Sequence, residues 1–333
     1  MNTTEILKNN LDLVIGHQTV KNLLIKAISA GRARTFLLVG PPHIGKGLLA
    51  RAVAASLHGQ SDIDKVHSDT ICFNDLLEVN KGEKEENKWK KSADDLVRFL
   101  NRSPISSKIK VAIIDEVDKL SSGAANALLK TLEEPSKSTV IILTANDVEA
   151  VLPTIQSRAQ IIKLNYVADT EIYEFVTSQT KDKVEEIVIF ANGAIGLAKA
   201  LLQDADLLQK YLGYLEKFKI LLQASVAAGF KITNIKDRSE ALALLEVWLN
   251  LSRRLTMVKL SVRENTPIMT ELIEIVTDRS VEDLIALTNE IKESIRALKI
   301  GANIQIVMEA LILQWAWGMA GASVGYNLGQ KKV

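Results

Sequence analysis

One cysteine, Cys72, stands alone among 333 residues. That excludes an intramolecular disulfide and a cysteine-built zinc cage, and it suits a reducing compartment, the cytoplasm by default. Long hydrophobic runs are missing too. No stretch offers the roughly 18 uninterrupted apolar residues of a membrane span, and the polar start from Met1 to Asn10 lacks the apolar core of a signal peptide. A soluble protein with no membrane partner is expected. Neither sign of charge dominates: 41 basic against 40 acidic side chains leave a net charge of +1. A whole-molecule field that weak holds no polyanion, so contact with nucleic acid has to come from a local patch or a partner. The chain also exceeds what one core spans, about 250–300 residues, so two or three domains are expected.

What is present is an alternation of short apolar runs and helical periodicity. Val20, Leu23, Leu24, Ala27 and Ile28 share one helix face, and Gly31 ends that helix. Phe36–Val39 is apolar throughout, too short for a helix, and runs into a Gly-Pro-Pro turn, as a buried parallel strand does. A helix is predicted from Lys46 to about Leu57. Val111–Ile114 and Val140–Leu143 repeat the strand signal, with a helix from Ala124 to Glu133 stopped by Pro135. The pattern is that of an α/β wound parallel sheet. Gly59–Lys91, charge-dense around Lys81–Glu86, reads as a mobile surface insertion. Beyond Tyr166 the chain reads as helix after helix. The expected division is 1–167, an α/β nucleotide-binding domain; 168–204, a small helical lid; and 205–333, an all-α domain.

Gly40, Pro41, Pro42, His43, Ile44, Gly45 and Lys46 match the start of a phosphate-binding loop, in which glycines turn backbone N–H groups toward phosphate oxygens and the lysine reaches the β- and γ-phosphates. A Gly/Pro-rich turn between strand and helix is the plain alternative, and the preceding strand, following helix and downstream acidic motif favour phosphate. Gly47 stands where the full pattern has the Ser or Thr that gives magnesium a hydroxyl. Water can replace that ligand, so the loop predicts affinity better than turnover. Asp115 and Glu116 end the strand 111–114, Asp115 placed to orient magnesium and Glu116 to polarise a water. Asp118 reads as the cap of the following turn.

Ile113–Leu120, then the run Asn126-Ala-Leu-Leu-Lys-Thr-Leu-Glu-Glu-Pro135, then Leu152–Arg158 resemble the clamp-loader branch of the AAA+ ATPases. Val14 and Ile15, in Val-Ile-Gly-His-Gln, look like the family segment near the adenine, and Asn303–Leu313 is similar to the last helix of the family's collar domain. The resemblance implies a P-loop (AAA+) sheet domain, a lid and a collar. It implies ATP and magnesium as ligands, and a five-subunit ring with gamma/tau motors and a delta subunit that places a sliding clamp on primed DNA, as part of DNA polymerase III. Arg158 would act in trans, as a finger into a neighbour's ATP site, and Asn146 falls at the sensor position facing the γ-phosphate.

Three features of the family's motor subunits are absent. Gly47 replaces the hydroxyl, Cys72 stands without the zinc-binding cluster, and Leu197 occupies the place of the lid's sensing arginine, unless a shifted register puts Lys199 there. Arg158, which serves a neighbour, is kept. The resemblance therefore implies a stator with weak or no hydrolysis of its own; an active motor is the alternative. A helix begun by Ser92, with Asp95 at capping-box distance, would present Arg98 and Arg102 on one face. That face either meets the DNA backbone inside the ring or is simply solvated. Ala241–Leu255 and Ala302–Trp317 are apolar on more than one helix face, to be buried within the chain or between collar subunits.

Overall fold

A computed structural model describes residues 3–30, 34–81, 84–133, 135–223, 229, 232–261 and 266–317. Gly31, Glu134, part of the charged run (Gly82, Glu83) and the Trp317 side chain lie outside what it describes. The chain divides into two compact units: Met1–Phe175 with Gly193–Leu197, and Val176–Asn192 with Ala198–Val333.

The first unit carries helices α1 (Thr3–Asp12) and α2 (Gln18–Ser29), strand β1 (Thr35–Val39), α3 (Lys46–Leu57), β2 (Thr70–Cys72), α4 (Phe73–Val79), α5 (Glu85–Leu100), β3 (Lys110–Ile114), α6 (Ser122–Glu133), β4 (Thr139–Ala145), α7 (Pro153–Gln156), β5 (Gln160–Lys163) and α8 (Asp169–Gln179), which ends in the second unit. The five strands pair in the order β2-β3-β4-β1-β5, and every pairing is parallel. The central strands read as unbroken apolar runs because both faces are covered. Phe36, Leu38, Val111, Ile113, Val140 and Ile142 join one core cluster with Leu7 and Leu24, while Leu37, Val39, Ala112, Ile114, Ile141 and Leu143 join the opposite cluster with Leu96 and Leu128. Alternate side chains of one strand thus face opposite layers.

Two expectations need correction. Residues 59–91 are not a structureless insertion: they supply β2, which pairs with β3 as a sheet edge, α4, and the start of α5. Trp89 packs on Phe73 with ring centroids 5.9 Å apart, so apolar contacts recruit a segment that its charge marks as loop. Ser92 does not begin a helix either. It is buried inside α5, where its hydroxyl accepts a hydrogen bond from Asn80 Nδ2 at 3.1 Å. Asp95 therefore closes no capping box; it accepts from the same Asn80 amide and pairs with Arg98.

The second unit is helical: α9 (Val184–Ala191), the rest of α10 (Ile195–Gln203), α11 (Ala205–Leu222), α12 (Arg238–Lys259), α13 (Pro267–Ile275), α14 (Val281–Lys299) and α15 (Ile304–Trp317). Asp204 and Asp237 cap α11 and α12, and Ser280 with Asp283 forms a capping box on α14. The wide apolar surface of α12 is covered within the chain: Leu244, Leu245, Trp248, Leu251 and Leu255 are buried, and Trp248 Nε1 donates to Tyr214 O at 2.9 Å. Trp315 is buried as well, its Nε1 donating to Leu222 O. No helix among the described residues is long and apolar enough to cross a membrane.

Candidate nucleotide-binding site

The loop between β1 and α3 is shaped by three positions. Gly40 lets the backbone approach β5, since a Cβ there would lie 2.4 Å from Leu164 O. Gly45 adopts φ 98°, open to glycine and strained for other residues, and directly precedes Lys46, the first residue of α3. His43 also sits in the left-handed region, at φ 61°. No side chain caps α3, so the amides of its first turn, at the positive end of the helix, are left for an anion. Pro42 and His43 are exposed, Pro41, Gly45 and Gly47 half-buried, and Ile44 anchors the loop in the core.

Neighbouring segments brace this loop. Val14 is buried, with a methyl 3.9 Å from where a Cβ on Gly45 would lie, and Ile15 beside it is half-buried. His17 Nε2 lies 2.9 Å from Ile44 O, and burial pulls its imidazole below the usual histidine range. The Gly196 amide donates to His43 O at 2.6 Å, and Leu197 packs partly buried against the core of this unit.

Lys46 is buried, and its ammonium donates to Gly40 O and Pro41 O, each at 2.7 Å, and to Asn146 Oδ1 at 3.0 Å. Those contacts use its three protons. Burial lowers its pKa, opposed by the carboxylates of Asp118, Glu116 and Asp115. The acidic pair is held by Thr144: its hydroxyl donates to Asp115 Oδ1 at 3.0 Å and accepts from the Glu116 amide at 3.1 Å. Glu116 Oε1 accepts from Lys119 Nζ at 2.7 Å and Asn146 Nδ2 at 3.3 Å, and the hydrogen bond from Lys119 is the main cause of its lowered pKa. The ends of β1, β3 and β4 thus bring Lys46, Asp115, Glu116 and Asn146 into one polar cluster.

Asp118 is more than a turn cap. Its Oδ2 accepts from the Asn146 amide at 3.0 Å, and its buried Oδ1 finds no partner among the described residues. Asp118, Thr144 and His17 all contact the loop or the cluster, and motif reading gives Asp118 only the role of a turn cap and the other two none. Thr144, two places before Asn146 at the end of a strand, carried a usable signal; His17 carried one only through its place beside Val14 and Ile15.

The other candidates lie outside this cluster. Arg158, half-buried after α7, donates from Nη1 to Thr154 O at 2.8 Å and Ser157 Oγ at 3.1 Å, and from Nη2 to Glu133 Oε1 at 2.5 Å. Arg98 is exposed on α5, but Arg102 follows the end of that helix, so the two do not share a helix face as expected.

Residues 16–168 match the family described as DNA polymerase III, delta subunit. The DNA polymerase III gamma subunit of Buchnera aphidicola subsp. Acyrthosiphon pisum is 31% identical over 210 residues, covering 58% of this chain and 57% of that protein. The replication factor C small subunit of Methanocella arvoryzae is 25% identical over 333 residues, covering 96% of this chain and 97% of the relative. The tau subunit of Escherichia coli DNA polymerase III is 31% identical over 156 residues, 44% of this chain and 24% of that one. The chain spans 57% of the length of the Acyrthosiphon pisum gamma subunit and 58% of that of Buchnera aphidicola subsp. Schizaphis graminum. The segment that matches the family described as DNA polymerase III, delta subunit, residues 16–168, is the one that carries the phosphate-type loop and the acidic pair.

Proposed function

We propose that the chain is the delta-prime-type subunit of a DNA polymerase III clamp loader. It would join gamma/tau motors and a delta subunit in a ring that loads the sliding clamp onto primed DNA, with residues 168–204 as lid and 205–333 as collar. Its own hydrolysis would be weak, and Arg158 would enter the ATP site of a neighbour. One contrast carries this reading: both cations bind partners of their own chain, but Lys46 is buried beside a Gly47 that has no hydroxyl, whereas Arg158 is partly open to solvent.

The residues fit a nucleoside triphosphate with magnesium. The first-turn amides of α3 face no side-chain cap, and an added Cβ on Gly47 would lie 3.7 Å from Asp115 Oδ1, so the carboxylate stands beside the expected metal position. ATP bound there would supply phosphate charge for the loop to hold, while the hydrolysis that drives the loading cycle would fall to the motor subunits. The loop amides would hold phosphate oxygens, and Lys46 would have to exchange its carbonyl partners for them. Asp115 would orient the metal, Glu116 would accept a proton from water, and Asn146 would hold Glu116 and Lys46 in register. Val14 and Ile15 would border the base. Arg98 and Arg102 would offer nonspecific contacts to the DNA backbone within the assembled complex.

Mixed with gamma/tau-type and delta-type subunits, the purified chain should complete a complex of defined mass by light scattering that loads clamp onto primed DNA, while alone it turns ATP over at background. The second reading, an active gamma/tau-type motor, is favoured by the intact grouping of Lys46, Asp115, Glu116 and Asn146. Motor-rate turnover by a homo-oligomer of this chain would establish it instead.

Gly47 gives a second test. Its position has no left-handed φ, and the nearest atom to an added Cβ is at ordinary contact distance, so Gly47→Thr should be accepted without strain. Magnesium-dependent ATP binding by calorimetry should tighten about tenfold, the worth of one charge-assisted contact. Unchanged affinity would mean that the missing hydroxyl is not what limits this site.

A further inference from the structure

The run from Asn126 to Pro135 carries the resemblance to clamp loaders, yet its acidic end lies outside the cluster around Lys46. Glu133 is the last residue of α6, where the negative end of the helix disfavours a carboxylate. Its position is unexplained by helix stability. What it does touch is Arg158: Glu133 Oε1 accepts from Nη2 at 2.5 Å, while Thr154 O and Ser157 Oγ hold Nη1. All three partners come from the same unit, and the guanidinium and carboxylate side chains remain 31% and 45% exposed.

We infer that Glu133 is a positioning residue for Arg158 and an internal stand-in for the anion that Arg158 is meant to meet; this rests on the reading of Arg158 as a finger. A guanidinium presents a planar fork that suits two oxygens of a carboxylate or phosphate. Glu133 Oε1 engages Nη2 while Thr154 O and Ser157 Oγ hold Nη1, which aims the fork from one side. Because the pair is exposed, its strength is modest, and a multiply charged phosphate of a neighbour's nucleotide can displace it. Glu133 thus keeps the finger aimed in the free subunit and competes for it in the assembled one. The competition sets how much nucleotide the neighbouring site needs before the finger engages.

Glu133→Gln keeps an acceptor oxygen and the side-chain shape while removing the competing charge. In the assembled loader it should lower the Kd for a fluorescent ATP analogue, and the KM for ATP, by up to about fivefold, the scale of an exposed ion pair, with kcat unchanged. In the Arg158→Ala background the same substitution should change neither constant, since the coupling runs through the guanidinium. An unchanged Kd in the Arg158-containing complex, or an equal shift with Arg158 absent, overturns the role of Glu133. Should Arg158→Ala by itself leave the ATPase intact, the finger reading falls and takes this inference with it, a result recognisable without any Glu133 variant. Circular dichroism of Glu133→Gln separates a lost α6 end from a lost charge, and Glu133→Asp, which restores the charge on a shorter stem, should return the Kd toward the parent value.

Discussion

On the proposed delta-prime reading, Arg158→Ala should lower turnover at a neighbour's ATP site by about 10³-fold, the low end of what an arginine finger contributes to phosphoryl transfer. Steady-state ATPase of the reconstituted loader, with clamp and primed DNA present, is the measurement. The substitution should leave the fold almost untouched. Arg158 is partly exposed, and its ion pair with Glu133 is of a kind worth about 0–1 kcal/mol. A large kinetic loss at nearly constant melting temperature therefore separates catalysis from folding. Lys46→Ala in the same chain is the control: a stator tolerates it with little change in ATPase, since its own site does not drive the cycle. The reverse pattern, collapse with Lys46→Ala and indifference to Arg158→Ala, would make the chain a motor.

Much of the sheet unit could be read in advance, for physical reasons that also explain the misses. Strands β1, β3 and β4 are covered on both faces, so they appear as unbroken apolar runs, and α3 starts where Gly45 takes up a left-handed conformation. Strands β2 and β5 stayed hidden: Thr-Ile-Cys and Gln-Ile-Ile-Lys are short edge strands whose pairing partners, not their own patterns, define them. Ser92 misled because a Ser with an acidic residue three places on imitates a helix start, whereas Asn80, brought in from α4's end, occupies that hydroxyl. The site divides in the same way. Lys46, Asp115 and Glu116 belong to local motifs, but the contacts that orient them come from Thr144 and Asn146, about 30 and 100 residues away in sequence. The tie between Glu133 and Arg158 likewise joins two motifs, each legible alone, through a contact only the fold supplies.

Replacement of Asp69 should have the largest effect on stability. Asp69 is fully buried just before β2, where its carboxylate accepts from the amides of Ile105, Ser106 and Ser107 at 2.7, 2.8 and 2.9 Å, and from Ser106 Oγ at 3.3 Å. Its own carbonyl accepts from the Val111 amide in β3. One side chain thus pins the loop that leads into β3, the strand that Asp115 follows. Burial works against its charge, but the three backbone amides and the serine outweigh it and hold the carboxyl well below its ordinary value of 3.8. A depressed carboxylate stabilises the fold fully above that ordinary value, and its contribution shrinks as the pH falls below 3.8 toward the folded-state value. Asp69→Asn puts an amide donor against amide donors and leaves backbone N–H groups of residues 105–107 short of an acceptor on a buried side chain. It should cost about 3 kcal/mol at neutral pH, seen as a lower urea midpoint at unchanged slope. The deficit relative to the parent should narrow below pH 3.8, because only the parent has a carboxylate to protonate at position 69. A deficit under about 0.5 kcal/mol at pH 7, or one that does not narrow in acid, would mean that the loop before β3 holds itself without the carboxylate.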